Sequence, residues 1–130
     1  MTHFRARLAT RFNFEAAHFM PGYPVGHPNR AIHGHSFTGE VVVESFVNPQ
    51  DGMVVDHDIL QRAVKEVVKA LDHCMLNDVP GLDQPTGEHI ARWIWMKLKP
   101  SIRGLKEVIV SRESVGIRAS YSDDFQTGVE

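Results

Sequence analysis

At 130 residues the chain fits one domain with room for a real core. Its 42% hydrophobic and 23% charged residues are ordinary for a soluble globular protein, and a formal net charge of −2 gives no strong field for nucleic acid or a membrane surface. The apolar runs are too short to span a bilayer, no apolar signal core follows Met1-Thr2-His3-Phe4-Arg5, and a single cysteine, Cys74, excludes an intrachain disulfide and suits the cytoplasm.

The first third reads as strand. From Phe4 to His18 the residues Phe12, Phe14, Ala16 and His18 share one parity, and Arg11, Asn13 and Glu15 the other. Pro21 to Ile32, rich in Pro, Gly and Asn, is a loop. A second strand runs from about His35 to Val47, with Phe37, Val41, Val43 and Val47 on its apolar face and Ser36, Thr38, Glu40 and Glu44 on the other. Asn48 to Gly52 is a turn. A helix begins near Asp56 or Asp58 and ends around Asp72-His73, with Leu60, Val64, Val67, Val68 and Leu71 on its apolar side. Thr86 is the N-cap of a second helix, which Pro100 stops. Two strands, Leu105 to Glu113 and Val115 to Tyr121, follow, and the polar tail from Ser122 to Glu130 is expected to be loose.

This order, β-β-α-α-β-β, predicts an α+β layer: a four-stranded antiparallel sheet with two helices on one face, in a single domain over 1–130. Such a sheet leaves two edges, and association through them is a cheap remedy.

The eight histidines are the compositional oddity. His33-Gly34-His35 enters the second strand, so both imidazoles point to one face, and His18 ends the first. Three imidazoles meeting across adjacent strands make a three-nitrogen metal site with an open position, which is the arrangement of a catalytic rather than a structural zinc. Copper or nickel also bind such donors. On spacing alone, ordinary surface or half-buried histidines are the competing reading.

Phe14-Glu15-Ala16-Ala17-His18, His33-Gly34-His35-Ser36-Phe37, Gly52-Met53-Val54-Val55-Asp56, Leu71-Asp72-His73, Leu76-Asn77, Pro85-Thr86-x-Glu88 and Glu113 occur in that order. Jointly they resemble the 6-pyruvoyl-tetrahydropterin synthase and 6-carboxytetrahydropterin synthase family, over nearly the whole chain. The resemblance implies the tunnelling fold, in which three subunits pair their sheets into a barrel and two trimers usually stack, with active sites at subunit interfaces. It implies Zn²⁺ on His18, His33 and His35, bound to the side-chain oxygens of 7,8-dihydroneopterin triphosphate and lowering their pKa. It makes Asp72-His73 a catalytic pair, the carboxylate fixing the imidazole's tautomer. It makes Glu113 the pterin anchor, accepting the adjacent 2-amino and N3–H groups as it would a guanidinium fork, and places Thr86 near the pterin pocket. Helix capping accounts for Thr86 equally well, Asp56 reads as cap chemistry, and Glu88 as a first-turn dipole partner.

The family's cysteine a few residues before the His-x-His is missing. The chain has His27-Pro28-Asn29-Arg30-Ala31-Ile32 there, and the cysteine position falls on His27 or on Asn29 according to loop length. His27 can replace a thiol in proton transfer, whereas Asn29 cannot act as a base. Cys74, after the Asp-His pair, reads as a small helix-end hydrophobe. His89 and His57 also depart from the family pattern. Arg30 is a triphosphate candidate by position only.

The expected activity is that of a cytoplasmic, zinc-dependent lyase, a homo-oligomeric pterin synthase whose product is 6-carboxytetrahydropterin, which in bacteria feeds deazapurine (queuosine) synthesis, or 6-pyruvoyltetrahydropterin. The missing cysteine motivates two others: retro-aldol cleavage of dihydroneopterin or its phosphate to a 6-hydroxymethyl pterin, and a non-catalytic pterin-binding zinc protein.

Overall fold

Alternation of apolar and polar residues builds two 14-residue strands, β1 (Arg5–His18) and β2 (His33–Phe46), paired antiparallel from Arg5↔Phe46 to His18↔His33. The structure, a computed structural model, describes residues 3–125, so the last part of the polar tail lies outside the described residues. Helix α1 (His57–Lys69) starts at the N-cap Asp56, whose carboxylate accepts the Ile59 N–H at 3.0 Å. Helix α2 (Gly87–Leu98) starts at Thr86, as its sequence predicts. Strands β4 (Leu105–Arg112) and β5 (Ile117–Tyr121) close the fold.

The sheet differs from the expected one. It has five strands in the order β3-β1-β2-β4-β5, and it is mixed. The added strand, β3, is only Cys74–Met75, and it runs parallel to β1 through Ala16↔Cys74 and Ala17↔Met75. Two residues carry no readable period, so tertiary pairing alone makes this strand. It also explains why α1 stops at Lys69 rather than at Asp72-His73: the chain must turn out of the helix to reach the edge of β1. Val115 belongs not to a strand but to a single turn of 3-10 helix, Glu113–Val115, closed by Gly116 at φ 70°.

Both helices cover one face. Phe12, Phe14, Phe37, Val41, Val43, Val108 and Val110 of the sheet join Leu60, Val64 and Val68 of α1 and Ile90, Ile94, Trp95 and Leu98 of α2 in one buried cluster. Phe14 and Phe37, directly paired across β1 and β2, stack at 4.8 Å between ring centroids. The opposite face is polar, with Glu44 bridging Arg5 (3.1 Å) and Arg7 (2.6 Å).

Gly39 faces Phe12 in the register, and a Cβ there would run into the Phe12 ring and the Ile109 carbonyl. A strand glycine normally gains stability on mutation to alanine. Here the sign reverses: Gly39→Ala is expected to cost about 2 kcal/mol or more, because backbone and a core ring must both move. A urea unfolding midpoint unchanged or raised in this variant refutes the packing described.

Candidate metal centre and active site

The end of β1 is pinned before any ligand is considered. Asn77 clamps Phe19 from both sides: Phe19 N–H donates to Asn77 Oδ1 at 3.0 Å, and Asn77 Nδ2 donates to the Phe19 carbonyl at 2.9 Å. Met20 N–H donates to the Asn29 carbonyl at 2.8 Å and closes the loop. His18, one residue before the clamp, is fully buried. The Leu76-Asn77 match to the family was the one signal of this clamp in the residues.

The register then brings His33 opposite His18 and His35 opposite Ala16, all on the core face. The three rings meet edge-on, with centroids 4.6 Å (His18–His33), 5.1 Å (His18–His35) and 5.0 Å (His33–His35) apart. One nitrogen from each lies within 4.8 Å of the other two. His18 Nδ1 lies 2.8 Å from the Pro85 carbonyl and His33 Nδ1 2.7 Å from the Ala31 carbonyl. A carbonyl only accepts, so each Nδ1 carries the hydrogen and each Nε2 offers its lone pair. The buried Nε2 atoms of His18 and His35 have no hydrogen-bond partner among the described residues. Buried polar atoms of this kind are costly unless something satisfies them, and outer-atom fixation of the ring is the usual support of a metal-binding imidazole. The donor set therefore fits a divalent metal.

Electrostatics favour the lone-pair form. Burial pushes the His18 imidazole down to about 4, with the Pro85 carbonyl opposing and the charges of His33, His35 and Arg112 adding. Burial, then Arg112, also lowers His35. Both rings are ready to bind a cation without first losing a proton.

His33 and His35 line a cleft of about 600 Å³ together with Asn29, Thr86, Glu88 and Arg112. Thr86 Oγ1 accepts the His89 N–H at 3.3 Å and lies 2.9 Å from His89 Nδ1, so its hydroxyl serves the helix cap and borders the cleft at once. Of the two loop positions that could match the missing cysteine, Asn29 and not His27 is on this lining. His27 stacks on Tyr23 at 4.2 Å between centroids, and its Nδ1 accepts the Asn29 N–H at 3.0 Å. Arg30 Nη1 is engaged with the Tyr23 carbonyl at 3.0 Å and, at 3.5 Å, with that of Pro21.

The other expected site residues open elsewhere. Glu113 is exposed at the turn after β4, beside a depression with Arg11, Asn13 and Thr38, whose hydroxyl donates to Glu113 Oε1 at 3.3 Å. Asp72 and His73 sit at the sheet edge, their Oδ1 and Nδ1 3.0 Å apart. Asp72 Oδ1 accepts the Glu15 N–H at 2.9 Å, and His73 N–H donates to the Glu15 carbonyl at 2.6 Å. That double tie holds His73 in the left-handed region, φ 57°, which is unusual for a side-chain-bearing residue. The Glu15 amide, then His73, holds the Asp72 carboxyl below the usual carboxylate range. The pair's side-chain tie is thus to β1, while toward α1 the Asp72 N–H donates to the Val68 carbonyl at 3.2 Å. His73 and Cys74 share a shallow depression with Glu15, Gly34 and Ser36, and only His35 borders both this surface and the histidine cleft. Cys74 is half-buried in β3, its Sγ near the Ala70 and Asp72 carbonyls at 3.5 and 3.3 Å.

Comparison with known proteins shows the family and the fold. The family model described as 6-pyruvoyl tetrahydropterin synthase matches residues 7–124. The 6-carboxy-5,6,7,8-tetrahydropterin synthase of Synechocystis sp. is 43% identical over 105 residues, covering 76% of this chain and 80% of the relative. The dihydroneopterin monophosphate aldolase of Pyrococcus furiosus is 38% identical over 100 residues, covering 77% and 81%. In fold, the chain matches the 6-pyruvoyl tetrahydropterin synthase of Caenorhabditis elegans with a TM-score of 0.81 at 22% identity, over 92% of this chain and 96% of that one. The Plasmodium vivax 6-pyruvoyl tetrahydropterin synthase matches with a TM-score of 0.70 at 23% identity, over 91% and 97%. Among the described residues no helix is long and apolar enough to cross a membrane.

Two outcomes are expected of the centre. Removing one donor, as in His33→Ala, lowers divalent-metal affinity by at least about a hundredfold, measured by competition with a chelator; unchanged affinity refutes the triad as ligands. In the metal-free protein His18 resists protonation down to about pH 4. The unfolded chain takes up that proton near pH 6.5, so stability falls by about 3 kcal/mol as pH drops through this window and is fully present above it. An NMR titration midpoint for His18 above about 6 refutes this, since an ordinary imidazole titrates there.

Proposed function

The chain belongs to the 6-pyruvoyl tetrahydropterin synthase family, and on that premise we propose that it is a zinc-dependent pterin synthase acting on 7,8-dihydroneopterin triphosphate, forming 6-carboxytetrahydropterin or 6-pyruvoyltetrahydropterin. The observation that carries this reading is the convergence of three imidazoles, two of them with a buried Nε2 that lacks a partner among the described residues. His18, His33 and His35 would hold the metal. When bound, such an ion supplies Lewis acidity to the substrate's side-chain oxygens.

The chain's own residues supply the rest. In this reading Asp72 keeps His73 in a defined tautomer, and His73 exchanges a proton with the substrate side chain. Glu113 accepts the two neighbouring N–H groups of the pterin. Thr86 borders the bound ring. These groups face different depressions of one chain, so the reading requires a homo-oligomer in which neighbouring copies complete each site. The outer edge of β5, and the length of β1 that two-residue β3 leaves uncovered, are the surfaces such an assembly would use.

His27 enters as the loop's proton-transfer group. Its Nδ1 takes the Asn29 N–H, which leaves Nε2 as the nitrogen able to carry a proton to or from substrate. A second reading rests on the same loop: it holds no thiol, and a relative 38% identical is named an aldolase of dihydroneopterin monophosphate. In that reading the chain cleaves the side chain of a dihydroneopterin phosphate by retro-aldol chemistry to a 6-hydroxymethyl pterin.

Metal-loaded protein incubated with 7,8-dihydroneopterin triphosphate, and separately with the monophosphate, distinguishes them by product mass. A tetrahydropterin product that falls by at least about a hundredfold in His27→Ala is expected. A 6-hydroxymethyl pterin product establishes the second reading instead, and unchanged substrate in both arms overturns both.

A further inference from the structure

Arg112 is the one cationic side chain on the lining of the histidine cleft. It is the last residue of β4 and continues the inward parity of Val108 and Val110, so it leaves the core face where that face ends and the cleft begins. It pairs with Ile117 of β5, and the preceding residue, Ser111, pairs with Thr38 of β2, one residue past Gly39's partner Val110 on the way to the histidines. Its Nε is sealed from solvent with no hydrogen-bond partner, and its guanidinium makes no ion pair among the described residues. Glu88 lines the same cleft without pairing to it. A half-buried guanidinium with an unsatisfied N–H is poorly solvated and pairs strongly with any anion that enters.

We infer that Arg112 anchors the phosphate ester on the substrate's side chain, a role that rests on the pterin reading of this cleft. The reasoning is one of reach. If the reacting side-chain carbons lie at the three imidazoles, the phosphate on the end of that short chain must lie a few bonds away, and the cleft offers Arg112 there. A planar guanidinium presents two parallel N–H donors, the geometry that a phosphate accepts best. Arg30, the other arginine near the loop, spends its Nη1 on backbone carbonyls and is absent from the lining. The arginine thus selects phosphorylated over unphosphorylated pterins by pairing with the phosphate.

The test is steady-state kinetics of the wild type, Arg112→Met and Arg112→Lys on 7,8-dihydroneopterin triphosphate and monophosphate, with unphosphorylated dihydroneopterin measured as a competitive inhibitor and a titration of each metal-loaded protein by inorganic phosphate followed by ³¹P NMR. Arg112→Met is expected to raise KM for the phosphorylated substrate by about ten- to a hundredfold, with the inhibition constant of the unphosphorylated compound little changed, and to weaken phosphate binding in parallel. Arg112→Lys, which keeps the charge but loses the fork, falls between. Equal losses of affinity for the phosphorylated and unphosphorylated compounds, or phosphate binding unchanged in Arg112→Met, overturn the assignment. If the wild type turns over neither phosphorylated pterin, the proposed function falls, and the phosphate titration alone still decides whether Arg112 holds an anion.

Discussion

The antiparallel register of β1 and β2 places His18 across from His33 and Ala16 across from His35, and the histidine cluster that could hold a metal is a consequence of that pairing. Strand side chains alternate, so a slip of one residue would turn Phe12, Phe14 and Phe37 out of the core and move the imidazoles to the polar face at the same time. The core therefore enforces the site: the Phe14–Phe37 stack and the histidine cluster lie on one continuous face, and His18 and His35 each meet the Phe37 ring edge-on at 5.7 and 5.6 Å. The small residue opposite His35, Ala16, leaves space for the rings to converge. Hydrophobic burial, which is non-directional, thus gains a directional result through the pleat.

The same sheet divides the chemistry. Residues of one parity feed the buried histidines, while those of the other, with the turn after β4 and the edge at β3, carry Glu113 and the Asp72-His73 pair. A single chain cannot bring both sets onto one small molecule without bending the sheet. The Asp-His pair is nonetheless held with care: two hydrogen bonds to Glu15 keep His73 in a left-handed conformation that the backbone would not choose alone. Such locally disfavoured geometry, fixed by its surroundings, is what a rigid orientation of the imidazole toward a neighbouring molecule requires.

Much of this was legible in the residues. Period-two alternation marked β1 and β2, the 3.6-residue stripe marked both helices, and Asp56 and Thr86 marked their starts, because each of these signals is local and repeated. The His-x-His parity located the imidazole cluster for the same reason. What escaped the sequence is short or non-local. Two-residue β3 has no period, and it exists because Cys74–Met75 meet the free edge of β1. Val115 continued the alternation of β5 but falls in a turn whose geometry Gly116 decides. The loop gave two candidate positions for the absent thiol, and only its folded path shows that Asn29 lines the cleft while His27 packs on Tyr23. Arg112 carried no motif at all; its parity with Val108 and Val110 was the one available signal, and it gains meaning only once the histidines are known to lie beyond the end of β4.

The charges of the cleft also constrain what it can hold. Three imidazole donors are neutral, so a dication among them keeps its full charge, and Arg112 adds another positive charge close enough to depress the proton affinity of His18 and His35. On the lining, Glu88 is the sole carboxylate set against them. Carboxylate ligands would lower the field of a bound metal; this donor set, all imidazole, contains none, and that field would stand unbalanced in a partly desolvated space where Coulomb terms are strong. An anionic ligand is what restores neutrality. The donor set and the arginine thus favour a negatively charged substrate on electrostatic grounds alone, independently of the family to which the chain belongs.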